Sequence, residues 1–185
     1  MKTILVCNQK GGVGKSLIAD EIAFSFERSG VPVSFYDLDA QGGTLHQTHE
    51  VDGAEVAVVD TPGALREALA DWLKEADVVV IPTRTTSRDI EPLMRMRKAV
   101  FKHSRAKIVY VMNGWNRFKA SRDFMEWFDG LAGVQTVVTL PQSEAFVQAG
   151  AAEKSVVEYD KRGKAARATV ELVNMVREAA GFPME

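Results

Sequence analysis

With a single cysteine, Cys7, the 185-residue chain cannot close an internal disulfide. That excludes the disulfide-stapled class of small extracellular folds, and Cys7, at the end of a predicted buried strand, reads as a small core residue. Long hydrophobic runs are also missing. The first apolar run, Ile4 to Cys7, is far too short to span a membrane, and no charged leader precedes a longer one. Neither a signal peptide nor a transmembrane helix is expected, and the expected location is cytoplasmic. Histidine is scarce. His46 and His49, three apart, could share a helical face, but two histidines do not make a metal site, and a surface loop is expected there. Repeats, linkers and low-complexity segments are absent, which points to one domain.

What is present belongs to a globular protein: 46% hydrophobic and 26% charged residues, with enough length to bury a sizeable core. The net charge of −2 hides an uneven distribution. Residues 1–83 carry 6 Lys and Arg against 13 Asp and Glu, residues 84–122 carry 11 against 2, and residues 123–185 carry 6 against 10. A basic band thus interrupts an acidic chain.

Short Val- and Ile-rich runs alternate with amphipathic stretches: 3–7, 33–37, 55–60, 77–81, 107–112 and 134–139. Most are separated by ten or more residues of helical pattern, which requires crossover connections between parallel, buried strands. The predicted fold is α/β, a doubly wound, mostly parallel sheet of about six strands with helices on both faces. Helices are predicted over about 15–29, with Ile18, Ile22, Ala23 and Phe26 on one face and Gly30 closing it, over 65–75, over 87–104 and over 164–180. In the third, Ser87 or Asp89 is expected near the cap, Pro92 in the first turn, and Leu93, Met94, Val100 and Phe101 inward. The 164–180 helix offers Val170, Val173, Met175 and Val176 for packing. Doubly wound sheets place ligands beyond the carboxyl ends of their strands, where the chemical motifs of this chain fall.

The most informative stretch is Gln9-Lys10-Gly11-Gly12-Val13-Gly14-Lys15-Ser16, set between the first strand and the first helix. Glycines let backbone N–H groups close on phosphate oxygens, and the helix start adds the positive end of a dipole. Lys15 is expected to reach the β- and γ-phosphates and the Ser16 hydroxyl to ligate Mg²⁺. An ordinary phosphate loop has glycine six residues before that lysine. Gln9 stands there instead, and an extra lysine, Lys10, opens the glycine run.

Lys-Gly-Gly-Val-Gly-Lys-Ser resembles the deviant Walker A motif of the ParA/MinD family of ATPases, and the resemblance extends over most of the chain. It implies the P-loop NTPase fold, with ATP and Mg²⁺ as ligands. It gives Lys10 a catalytic role, reaching across a nucleotide-sandwich dimer to the partner's ATP, beside Lys15 and Asp39. Lys10 to Leu17, with Gly11, Gly12, Val13 and Gly14, form the ATP-binding run; Leu17 stands where the family often has a second hydroxyl.

Tyr36-Asp37-Leu38-Asp39-Ala40-Gln41 is similar to the family's Asp-x-Asp-x-Gln signature. The resemblance implies that Asp39 positions or activates the attacking water and that Asp37 supports the metal and lysine network. Glu55 to Asp60, followed by Thr61-Pro62-Gly63, has the form of a Walker B element. Asp60 is then expected to hold Mg²⁺ through water, with Ser16 and Asp37, and the turn to respond to the γ-phosphate. Asn113 falls where the family places its adenine-binding asparagine, and the following Gly114-Trp115-Asn116 lacks the guanine-specific Asn-Lys-x-Asp, which favours ATP over GTP. Leu140-Pro141-Gln142-Ser143 resembles the loop over the adenine ring, with Pro141 in contact. The interval from Ala40 to Val59 is trimmed relative to longer members, and a lone cysteine cannot supply the paired cysteines of the superfamily's iron-sulfur relatives.

Two basic groups are candidates for DNA: Arg88, Arg95, Lys98, Lys102 and Arg105 in one stripe, aided by Arg117, Lys119 and Arg122 in the next loop, and Arg162 and Arg167 with Lys161 and Lys164. A solvated face is the competing reading of both. The resemblance implies an ATP-dependent homodimer on non-specific DNA, acting in plasmid or chromosome segregation with a ParB-like or small centromere-binding activator, and nucleoid-associated. The alternatives are a conjugation or replication accessory ATPase of the same fold, binding of ATP without useful turnover, or a MinD-like membrane-positioning ATPase. The acidic terminal stretch 171–185 lacks the lysine-rich face of a membrane helix, so no membrane partner is expected.

Overall fold

The computed structural model of the chain describes residues 1–63, 68–131, 133 and 136–185. Six strands, β1 (Lys2–Val6), β2 (Val33–Asp37), β3 (Val56–Asp60), β4 (Val78–Thr83), β5 (Lys107–Trp115) and β6 (Thr136–Pro141), form one sheet in the order β2-β3-β1-β4-β5-β6. Every ladder is parallel. Among the described residues the one antiparallel contact is an isolated bridge between Phe35 and His49.

The strands are buried on both sides, and their period of two sorts them into two cores. Ile4, Val6, Val58, Val80 and Val111 face α1 (Lys15–Arg28) and α7 (Lys164–Ala180). Leu5, Val59, Val79, Ile81 and Met112 face α2 (Leu69–Glu75), α3 (Ser87–His103) and α4 (Lys119–Asp129). The shorter α5 (Glu144–Ala151) and α6 (Val156–Tyr159) lead from β6 to α7. Cys7 is buried, and that burial pushes its thiol pKa up to about 12, so it is the inert core residue its position suggested.

Two expectations need correction, and two others fall partly outside the described residues. The helix expected over 65–75 is described from Leu69, residues 64–67 lying outside the described residues, as do 134 and 135 of the last predicted strand. Lys119 and Arg122 belong to α4, not to a loop: α4 is amphipathic, with Ser121, Phe124 and Phe128 on its buried face, and the basic residues on its outer side drew the reading to a loop; α5 and α6 are too short to stand out in the sequence. In α3 the buried positions are Asp89, Leu93, Met96, Arg97 and Val100, whereas Met94 and Phe101 are exposed, one residue off that stripe. Arg97 can occupy the inner face because its guanidinium bonds the Tyr110 hydroxyl at 3.0 Å and lies over the Phe101 and Tyr110 rings.

The start of α3 also differs. Its N-cap is Thr86, whose hydroxyl bonds the Asp89 carboxylate, and Pro92 sits in the second turn, not the first. Proline there cannot donate to the carbonyl of Arg88 four residues back, which leaves that oxygen open to another donor.

Candidate nucleotide-binding site

β1 feeds the glycine run at the carboxyl edge of the sheet, and α1 leaves it at Lys15 and Ser16, so glycine backbone and unpaired helix-start amides face one place. Gly14 is the N-cap of α1 in a left-handed conformation, φ 94°, and a Cβ there would overlap the Asn113 amide. Only glycine fits on both counts. Asn113, buried near the end of β5, donates its side-chain amide to the Val13 carbonyl at 2.9 Å and so braces the loop.

The loop opens on a cleft of about 630 Å³ lined by Gln9, Gly11, Gly12, Gly14, Lys15, Ser16, Leu17, Asp39, Gln41, Pro62, Gly63 and Arg95. The structure therefore brings Asp39 to the glycine loop, as the strand-end position suggested. The Thr61-Pro62-Gly63 turn closes the opposite side, where a Cβ on Gly63 would stand 3.3 Å from the Gly11 nitrogen. Lys15 is buried, and its ammonium meets the Lys10 carbonyl at the long distance of 3.5 Å.

The metal side of the cleft is built by strand register. Val6, Asp60 and Asp37 lie abreast on β1, β3 and β2. The Ser16 hydroxyl donates to Asp60 Oδ2 at 2.7 Å, while Asp60 Oδ1 is buried with no hydrogen-bond partner among the described residues. Burial raises the Asp60 pKa to about 6, against the lowering effect of Ser16 and Lys15 and with the help of neighbouring Asp37. An unpartnered carboxylate oxygen beside a hydroxyl is the donor set a hard divalent cation takes, so these residues fit Mg²⁺. Asp37 is engaged differently: its carboxylate accepts the Asp39 N–H at 2.9 Å and the Thr44 hydroxyl at 2.7 Å.

A proton competes with the cation for Asp60. Below about pH 6 each further unit of acidity is expected to weaken Mg²⁺ binding about tenfold, and Asp60→Asn to remove both the affinity and its pH dependence. Titration of Mg²⁺ with nucleotide present, from about pH 5 to about pH 8, checks this.

Lys10 does not line its own cleft. Its ammonium pairs with Asp89 at 2.6 Å and reaches the Arg88 carbonyl, the one left open by Pro92, at 3.5 Å. Asn8 sets the backbone: its amide donates to the Pro82 carbonyl at 2.7 Å and its oxygen accepts the Lys10 N–H at 3.1 Å. Pro141 ends β6 opposite Trp115.

Of the basic candidates, Arg88, Lys98, Lys102, Arg105, Arg162 and Arg167 are exposed. Arg105 lies past the end of α3, and Arg95, paired with Glu91 at 2.8 Å, stands in the cleft wall and not on a face apart from it. The sequence reading placed Asp89 near a helix cap without giving it a partner in Lys10, and it left out Asn8 and Thr44. The signal available for Asn8 was its place as a polar residue between a buried strand and the glycine run. His46 and His49 share no helix: His49 forms the bridge to β2, and His46 is fixed to α1.

A parallel sheet whose first strand passes through a glycine loop into a Lys-Ser helix start, with a strand-end aspartate on the serine, defines a P-loop-type α/β nucleotide-binding fold. More narrowly, the chain belongs to the CobQ/CobB/MinD/ParA nucleotide binding domain family, whose model matches residues 4–156. It is 29% identical over 115 residues to Protein ParA of Rhizobium radiobacter, a match covering 48% of this chain and 51% of that protein. The matched stretch thus spans about half the length of that relative. Among solved structures it is similar to a Cyanothece McdA variant in complex with ATP (TM-score 0.81, 15% identity, 100% of this chain and 98% of that one). It is also similar to cobyrinic acid a,c-diamide synthase of Mycobacterium smegmatis with a bound ATP analogue and magnesium (TM-score 0.74, 16% identity, 100% and 98%). These likenesses at low identity concern the fold. No helix among the described residues is long and apolar enough to cross a membrane.

Proposed function

We propose that this chain is a partition-type ATPase: it binds ATP with Mg²⁺, dimerises on ATP, binds DNA without sequence preference as the dimer, and hydrolyses ATP slowly until a centromere-binding partner completes the site. Its expected setting is plasmid or chromosome segregation in the cytoplasm, on the nucleoid. The single observation that carries this reading is the pairing of an Asp60–Ser16 metal corner inside the cleft with a Lys10 ammonium turned out of it. A lysine held outside its own phosphate site on Asp89 would serve a neighbour's by leaving that pair when a second copy arrives.

Within the cleft, the backbone amides of Gly11 to Lys15 would cradle the phosphates, Lys15 would face the β- and γ-phosphates, and Asn113 and Pro141 would border the base. Ser16 and Asp60, supported by Asp37, would hold Mg²⁺, which when bound supplies charge neutralisation at the phosphates. Asp39 would orient the attacking water and accept its hydrogen bond. Loss of the terminal phosphate would remove what Lys10 grips and release the dimer. Two copies would bring two basic surfaces to one duplex, adding their phosphate contacts.

The test is DNA binding by the parent with Mg-ATP, Mg-ADP or no nucleotide across a salt series. Affinity is expected with ATP alone, falling about tenfold or more between about 50 and 200 mM salt. Binding that ignores nucleotide or salt would count against the proposal.

A further inference from the structure

The interval after Asp39, short as it is, is not a free loop. Residues 40–50 form a strap, with 43–46 along α1 from Ser16 to Glu27 and 48–49 against β2, and it touches the candidate metal side at two points. An ideal Cβ on Gly43 would stand 3.4 Å from the Ser16 hydroxyl, and the Thr44 hydroxyl donates to Asp37 at 2.7 Å. Asp37 in turn accepts the Asp39 N–H. What holds the strap down lies one residue further on. The buried Asp20 carboxylate of α1 accepts the N–H groups of Leu45 and His46 at 2.8 and 3.0 Å and meets His46 Nδ1 at 2.7 Å. His46 Nε2 meets Glu27, two turns along the same helix, at 3.3 Å. The imidazole lies between two rings, Phe24 at 4.4 Å and Phe35 at 5.0 Å between centroids, and its side chain is 9% exposed.

We propose that His46 is a positioning residue for the candidate hydrolytic site: clamped between Asp20 and Glu27, it fastens the strap whose Thr44 orients Asp37 and, through it, Asp39. This rests on the reading of Asp37 and Asp39 given above.

Both ring nitrogens face carboxylates, so the ring donates to both only as imidazolium. Burial alone lowers its pKa, but the hydrogen bonds to Asp20 and Glu27 outweigh that and raise it above the ordinary value. The other charged groups near the strap are Glu153, which lines the adjoining cavity with His46, Phe24 and Thr44, and Glu21 and Lys154, which line a second one with Asp20 and Leu45. With the folded pKa raised, the clamp is fully present below the ordinary histidine pKa. It is lost as pH rises through the raised value.

The experiment follows amide hydrogen exchange of Leu45 and His46, corrected for intrinsic rates, from about pH 6 to about pH 9 in the nucleotide-free protein, beside the imidazole titration read by NMR. The parent is expected to lose strap protection by about tenfold or more with the same midpoint as the His46 ring. His46→Gln should lack that protection throughout, with the Ile22 amide of α1 unchanged as the control for folding. Glu27→Gln, which keeps the Asp20 contacts, should move the midpoint to lower pH. With Mg-ATP, His46→Gln should lower kcat about tenfold and leave KM within about twofold, and the alkaline limb of the parent's kcat profile should vanish. Strap protection that survives in His46→Gln, or a parent midpoint unrelated to the ring, would overturn the proposal. A parent that turns over no ATP would instead count against the ATPase reading, and the exchange data would still judge the clamp.

Discussion

Lys15→Ala is expected to lower ATP affinity by about two orders of magnitude, close to 3 kcal/mol, because it removes one ammonium from two phosphate groups in a partly dehydrated cleft. The same change should do little to the nucleotide-free fold. Lys15 is buried, and among the described residues its ammonium makes one hydrogen-bond contact, a long one to the Lys10 carbonyl, beside its attraction for the Asp60 carboxylate, so the ligand-free protein recovers only part of its desolvation cost. Loss of the aliphatic stem works against that gain and keeps the net change small. Thermal unfolding separates the two effects. Without ATP the variant should melt within about 2 °C of the parent, and the ATP-induced rise of the parent should disappear. A variant that retains the parent's ATP-induced shift would mean that the glycine cleft is not where phosphate binds.

The parts of this site that the sequence disclosed are those carried by local pattern. The glycine run, Lys15, Ser16 and the strand-end aspartates sit within a few residues of the strands that position them, and parallel register then brings Asp60 and Asp37 abreast. The buried face of α1 was legible for the same reason, as a 3.6-residue stripe, whereas of the four positions expected to pack in α7 only Val173 and Val176 are buried, Met175 packs at the core edge, Val170 is half-buried, and Leu172 was missed. What stayed hidden depends on contacts far apart in the chain. Nothing near Lys10 announces Asp89, 79 residues away, and nothing near His46 announces Asp20 and Glu27. Two histidines in a polar stretch look like surface until α1 supplies the carboxylates. The inner face of α3 was misread because a buried Arg97 breaks the apolar stripe, and the Tyr110 hydroxyl that makes its burial tolerable is on another element. Pro92 misled in a similar way. A proline in the second turn looks like a defect until the freed Arg88 carbonyl is seen to receive the Lys10 ammonium.

That last contact sets up a competition. Lys10 cannot hold Asp89 and a partner's γ-phosphate at once, so the ion pair stabilises the separated chains against the proposed ATP dimer. Asp89 is 1% exposed and Lys10 32%, which makes this a half-buried pair whose attraction is screened from one side only. Leaving it strands a buried carboxylate with the Thr86 hydroxyl as its remaining side-chain partner. Asp89→Asn keeps the shape and the bond to Thr86 but removes the charge, and it is expected to tighten ATP-dependent dimerisation about tenfold, some 1.4 kcal/mol. Lys10→Gln should abolish that dimerisation, and the double variant should behave as Lys10→Gln does, since no competitor matters once the competing group is gone. Sedimentation with Mg²⁺ and a non-hydrolysable ATP analogue reads all four proteins. Equal dimerisation by the parent and Asp89→Asn would show that the pair does not oppose assembly, and equal dimerisation by the parent and Lys10→Gln would remove Lys10 from the interface altogether.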